Sequence, residues 1–414
     1  MDRPSPTRTD AVAAAVSEVV GGPDGDHSAG HPWWSPARVL VGATAVVLAG
    51  GMVAKTDCTS PGWGGDQHAY AHLCWSDVAG RPVQAATPPG ITSWLERLAG
   101  VLPGSGTVAT TAALAVLLAA LAMLATVLLV RTDRHRPWAA AGWALSPVLL
   151  LGWISWEVVA AVGVALLLWG WTSGRAWLAG VGAGIGAAFA LPVALALVGV
   201  LAVGGGGRER FRARVDAVVA AAAAYVVVTL PGRGGTQDAD IGSVWLVVEQ
   251  RVGRPSATVR TVVTVLVLAL AAVAVWWLVD RAPRAGVRTA AGAGLVLLVA
   301  AVLVSGSAPP ELALVVLPLA ALAVRRWRDL LVWQGCELVS WAVTGWYVGG
   351  ALEPTVTDDV RAYALAVLVR TVGLLWLVAS VLLDASVDDD VVDVGRGEPD
   401  PDVDLLPDAG HAGA

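Results

Sequence analysis

The chain has 414 residues, of which 56% are hydrophobic and 14% charged, and its mean hydropathy is +0.67. That composition excludes an ordinary soluble domain and places the chain among polytopic membrane proteins. The net charge of −6 gathers largely in the C-terminal run "DASVDDDVVDVGRGEPDPDVD", and the arginines lie in short separate clusters. The net charge therefore says nothing about an acidic or basic catalytic surface, and nucleic-acid binding has no support.

Residues 1–36, "MDRPSPTRTDAVAAAVSEVVGGPDGDHSAGHPWWSP", are polar and contain Pro and Gly without a charged-then-apolar cleavable pattern. They read as a disordered cytoplasmic tail rather than a signal peptide. Apolar runs near the ~20 residues that a bilayer core requires then follow. They cover 37–54, 107–130, 138–154, 157–173, 176–189, 191–204, 215–231, 256–279, 289–305, 311–324, 329–349 and 359–383. An all-α membrane domain over 37–384 with about twelve spans is expected, followed by an acidic disordered tail over 385–414. The fifth and sixth runs are short and are interrupted by Pro192, as in a re-entrant or broken pair.

Arginine sets the orientation, because short cytoplasmic loops retain positive charge. Arg131, Arg134 and Arg136, then Arg175, then Arg208 to Arg214, then Arg281 to Arg288, then Arg325 to Arg328 occupy every second loop. The alternation predicts a multi-pass plasma-membrane protein with both termini cytoplasmic. It places the long loop 55–106, residues 232–255 and the segments "SGSAPPE" and "LEPTVTDD" on the outer face.

The first outer loop contains "CTSPGWGGDQHAYAHLCWSD". Disulfides persist outside the cytoplasm, and Cys58 and Cys74 are the two cysteines expected there, so a bond between them is expected, the alternative being two free thiols. Cys336 falls inside a span and reads as a small packing residue. His68 and His72, four residues apart, would share a helical face, but no HExxH-like spacing accompanies them, so no metal is expected. Asp77, three residues past Cys74, would be held rigidly above the membrane by the bridge, a suitable position for a general base.

Several segments occur in an order that resembles the actinobacterial members of glycosyltransferase family 87. They are "HLCWSDV", "ALSPVLLLGWISWEVVAAVGVALLLWGW" at 144–171, "GAGIGAAFALPVALAL" at 182–197, "GSVW" at 242–245 and "APPELALVVLPLAALAVRRWRDLLVWQGCELVSW" at 308–341. The resemblance covers about residues 37 to 384 and implies the C-type glycosyltransferase architecture. It implies transfer of a hexose, typically mannose, with inversion, from a polyprenyl-phosphate donor to an envelope glycolipid or lipoglycan acceptor, with no cofactor. Within the family an acidic residue of the first outer loop deprotonates the acceptor. Ser76, Asp77 and Val78 match the start of that motif, and Asp66, which forms D-x-x-x-Y with Tyr70, is the second candidate. Glu157 and His68 are candidates for substrate contact.

Where family members carry Leu-Tyr after the Asp, this chain has Arg81 and Pro82. The lysine of the family's K-x-Y-P element is Phe189 here, and "SGSAPPE" lacks the lysine that usually precedes the late S-P-Q element. Outer-loop Arg81, Arg233, Arg251 and Arg254 are the cations expected to hold the leaving phosphate instead. Two rival readings stand beside transfer: a catalytically degenerate relative acting in envelope assembly, and a polytopic transporter or flippase. Inside the spans, Glu337 with Gln334 and Arg370 is expected to form a buried structural pair. Trp153, Trp156, Trp245, Trp341 and Trp346 are expected near the outer interface, as membrane anchors by the commoner role, with sugar stacking the alternative.

Overall fold

The computed structural model describes residues 34–58, 74, 76, 78, 92, 95, 107–204, 207–229, 240–282, 286–350, 352 and 360–394. Every regular element among them is helical, in agreement with the all-α expectation. The helices are α1 Pro36–Ala54, α2 Thr107–Thr132, α3 Ala141–Ala144, α4 Pro147–Gly152, α5 Glu157–Thr172, α6 Ala176–Phe189 and α7 Val193–Ala202. They continue as α8 Arg208–Thr229, α9 Val244–Val252, α10 Ala257–Arg281, α11 Val287–Val304, α12 Ala313–Ala323, α13 Trp327–Val348 and α14 Arg361–Val394.

Serine followed by proline starts two of them. Ser35 caps α1 by accepting from the Arg38 N–H, and Ser146 caps α4 by accepting from Val148 and Leu149. Pro36 and Pro147 occupy first-turn positions, where the missing N–H has no helical partner to lose. Pro147 also explains one departure from expectation. The run 138–154 is not a single span but a 3₁₀ turn, Pro137–Ala140, followed by the short α3 and α4. Conversely α9 falls inside what reads as an outer loop, and α14 continues to Val394, into the acidic run expected as a tail.

Among the described residues, five helices are long and apolar enough to cross a membrane: α1, α2 from Thr111, α10, α11 and α14 up to Ala385. The helices α5, α6, α7 and α12 are apolar but shorter. At 14 and 10 residues, α6 and α7 extend about 21 Å and 15 Å, and Pro192 separates them as the N-cap of α7. The interior is centred on α12, every residue of which is buried, and on α11. By contrast α10 turns Val262, Val265, Leu266, Leu270 and Trp276 outward. An outer surface this apolar belongs against lipid, not water.

The two ends of the bundle differ chemically. At one, Arg136 donates to the Leu322 carbonyl, Arg288 donates to the Ala323 carbonyl, and Asp384 pairs with Arg288 at 3.3 Å and Arg326 at 3.8 Å. These are loops that the arginine alternation assigns to one side. The opposite end gathers the C-terminus of α1, the α4–α5 junction and the α11–α12 junction.

Candidate functional site

The residue that caps α1 at its C-terminus is Lys55, the single lysine of the chain among 27 Lys and Arg residues. It is 3% exposed. Its carbonyl accepts from Cys58, which closes the 3₁₀ turn Thr56–Cys58. Cys58 is bonded to Cys74, as the sequence predicts. Two residues on, buried Ser76 donates its hydroxyl to the Ile154 carbonyl at 2.7 Å and accepts from the Val78 N–H. The disulfide thus ties the loop segment around Cys74 to the turn that follows α1, and the Ser76 hydrogen bond ties it to the α4–α5 junction.

That junction leads into Glu157, the first residue of α5, where the helix dipole favours a carboxylate. Ser155 donates its hydroxyl to Glu157 Oε2 and accepts from the Glu157 N–H. Within its electrostatic range is Glu311, which the sequence does not single out. It sits in the 3₁₀ turn Pro310–Leu312, is 3% exposed, and its Oε1 has no hydrogen-bond partner among the described residues. Glu311 lies within electrostatic range of Glu157, Lys55 and Arg370.

The segment before Glu311 is held from both sides. Arg370 of α14 donates to the carbonyls of Ala308 and Pro309, and its Nε lies 3.0 Å from Glu337 Oε2. Glu337 Oε1 accepts from the Trp333 indole at 3.1 Å. The expected Glu337–Arg370 pair is therefore present. Gln334 does not join it, because its Oε1 finds no partner among the described residues. From the other side, Asp240 donates its N–H to the Gly306 carbonyl and accepts from the Ser307 hydroxyl at 3.2 Å. Gly242, at φ +78°, passes so close to the Ala308 carbonyl that a side chain would collide with it, and its N–H donates to the Tyr363 hydroxyl. Burial pushes the Asp240 carboxyl above its ordinary range, and the hydrogen bonds from Ile241 and Ser307 oppose the shift.

Four of the five tryptophans expected at the interface are interior instead. Trp153, Trp156, Trp245 and Trp341 are buried, and Trp346 alone is exposed. For two of them the neighbour is a glycine: a Cβ at Gly51 would strike the Trp153 indole, and one at Gly152 would strike the Trp341 ring. Small residues on the facing helix thus admit the rings.

Of the site residues expected from sequence, Glu157 is half-buried and lies within electrostatic range of Glu311. Arg251 and Arg254 are exposed near the end of α9, with Arg254 3.8 Å from Glu249. The cations that Glu311 meets are Lys55 and Arg370. Asp77, Asp66, His68 and Arg81 lie outside the described residues. Lys55 was legible as the only lysine in an arginine-rich chain, whereas Glu311 carried no signal beyond the acid in "SGSAPPE". Comparison of the chain with protein-family models and with characterised proteins finds no match.

Proposed function

We propose that the chain is an integral membrane glycosyltransferase of the C-type architecture. It moves a hexose, mannose by family resemblance, from a polyprenyl phosphate to an envelope glycolipid or lipoglycan on the outer side of the plasma membrane. The observation that carries this reading is the anchoring of Ser76 to Ile154, three residues before Glu157. It tethers the segment that resembles the family's catalytic loop beside half-buried Glu157, which lies within electrostatic range of buried Glu311.

In this mechanism Asp77 takes the proton of the acceptor hydroxyl, with Asp66 as the second candidate. The acceptor oxygen forms its bond to the anomeric carbon as the carbon–oxygen bond to phosphate breaks, and polyprenyl phosphate leaves with the bonding pair. The phosphate is already a good leaving group, so one base suffices. A cavity of about 580 Å³ between α9, α10, α11 and α14 supports a long-chain donor. It is lined by apolar side chains including Val248, Leu270, Val299 and Leu375, with Trp245 among them. Arg260 stands over the Trp245 ring at 5.8 Å, a cation beside an apolar channel.

The test is transfer from radiolabelled polyprenyl-phosphate mannose to endogenous membrane lipids, with wild type and Asp77→Ala compared. Transfer by wild type and its loss in Asp77→Ala is expected. Equal rates would remove Asp77 from the chemistry, and no transfer by wild type would overturn the reading.

A further inference from the structure

We propose that the cavity between the Pro137–Ala140 turn and the α12–α13 junction binds the phosphate of an anionic phospholipid, with an acyl chain of the same lipid lying along α13. The site is at the arginine-rich end of the bundle, away from Ser76 and Glu157, and it stands whether or not the chain transfers sugar.

The cavity measures about 180 Å³, and Arg136, Trp138, Arg325, Arg326 and Trp327 line it together with small and apolar side chains. Every titratable side chain on its wall is a cation. Sites that enclose drug-sized ligands measure roughly 300–1,000 Å³. This one suits a headgroup phosphate and is too small for a nucleotide.

The arginines are placed so that an anion can be taken up without stranding their present partners. Arg136 is held through its Nε by Asp133 at 3.3 Å and through one Nη by the Leu322 carbonyl, which leaves further N–H groups of the same guanidinium for a ligand. Arg326 pairs with Asp384 at 3.8 Å with 57% of its side chain exposed, and exposed pairs of this kind contribute little. Asp384 keeps Arg288 at 3.3 Å, so Arg326 can turn to a phosphate while that carboxylate stays paired. Arg325 keeps a partner within the protein and adds only its charge. Asp329, in the first turn of α13, is matched by Arg328 at 3.5 Å. A bidentate, charge-assisted contact between arginine and phosphate is stronger than the loose pair it replaces.

Depth favours a lipid over a free phosphate. Exposed tryptophans mark the headgroup level of a membrane protein. At this end Trp34 precedes α1, Trp177 sits in the first turn of α6, and Trp138 and Trp327 line the cavity itself, each 50% exposed or more. From Trp327, Leu331, Gly335 and Val339 are exposed at four-residue intervals along α13. Positions four apart form one row along a helix, and Gly335 leaves open space where a side chain would stand. From Trp327 to Val339 the row rises about 18 Å, against roughly 15 Å for half of a bilayer's hydrocarbon core. One acyl chain thus has an apolar path from the cavity into the membrane, for which a free phosphate has no use.

The experiment supplies the full chain, in micelles, with equal amounts of phosphatidylglycerol and phosphatidylcholine and measures the retained lipid by native mass spectrometry. Preferential retention of phosphatidylglycerol is expected. Arg326→Gln lowers it about fivefold, and the double variant Arg325→Gln, Arg326→Gln lowers it further. Arg134→Gln, which removes an exposed cation at the same end that does not line the cavity, changes it less. Thermal unfolding of each variant confirms the fold. Arg326→Lys replaces Arg326→Gln if the latter does not fold, with a smaller loss in the same direction because the charge stays and the planar fork goes. Equal retention of the two lipids, a loss in Arg134→Gln as large as in Arg326→Gln, or displacement of the lipid by equimolar inorganic phosphate overturns the proposal. The first two outcomes would leave only a diffuse surface field, and the third a site for the free ion.

Discussion

Arg370 and Glu337 pair at 3.0 Å with both side chains almost wholly buried, and the same guanidinium clips the Ala308 and Pro309 carbonyls just ahead of Glu311. The pair therefore does more than neutralise itself: it fixes the loop that presents Glu311. Arg370→Met removes the clip and strands a buried carboxylate, a loss of about 3–5 kcal/mol for such pairs. Glu337→Gln keeps the acceptor for Trp333 and both carbonyl contacts, so it costs less. Unfolding of the two variants in mixed micelles gives the order, and a larger loss for Glu337→Gln would show that the clip is secondary.

How far the sequence led can be judged from particular residues. The helices were legible because unbroken apolar runs leave the backbone no other way to satisfy itself in lipid, and the Cys58–Cys74 bond because only these cysteines fell in one outer loop. The division of 138–154 was written in Pro147, which a hydropathy reading passes over. Burial of Trp153 and Trp341 was hidden because it depends on Gly51 and Gly152 of facing segments, a tertiary fact. Lys55 looked like the end of a span and Glu311 like one acid in a loop. Only the fold brings residues 55, 157 and 311 into one electrostatic group.

The disulfide closes a loop between positions 16 apart in sequence, and restricting the unfolded chain by that much contributes on the order of 3 kcal/mol. The double variant Cys58→Ser, Cys74→Ser is expected to lose stability by about that amount. In intact cells both thiols should react with a membrane-impermeant maleimide only after treatment with an impermeant reductant. Labelling that requires permeabilised cells would place the loop on the cytoplasmic side and reverse the proposed orientation.

Alternate glycines of α6 serve two neighbours. Gly182 and Gly186 face α5, and Gly180 and Gly184 face the Ala217 and Ala221 carbonyls of α8. A Cβ on Gly163 or Gly182 would lie 2.6 Å from the carbonyl oxygen of the other. Small residues let helix backbones approach closely where lipid offers no hydrophobic drive to associate. Gly182→Val and Gly184→Val should each cost at least about 1–3 kcal/mol through overpacking. Gly42→Ala, in α1 with open space beside it, should be neutral or slightly stabilising. Equal unfolding midpoints for Gly182→Val and Gly42→Ala would refute the close approach.

Asp240 makes stability depend on pH with a definite sign. Its carboxyl is raised above 3.8, first by burial, so the folded chain holds this proton more tightly than the unfolded one. Stability is then undiminished below the ordinary carboxylate range and falls as pH rises through that range to the raised value. The ionised form does accept from Ile241 and Ser307, which is why it survives at all in a half-buried site. Asp240→Asn keeps an acceptor for the Ile241 N–H and offers an amide donor to the Ser307 hydroxyl while abolishing the titration. The variant should show a flatter melting profile from about pH 4 upward and a higher melting temperature than wild type at neutral pH. A profile parallel to wild type would mean that this carboxyl is not shifted, and that the Asp240–Ser307 contact leaves it as solvated as an ordinary surface acid.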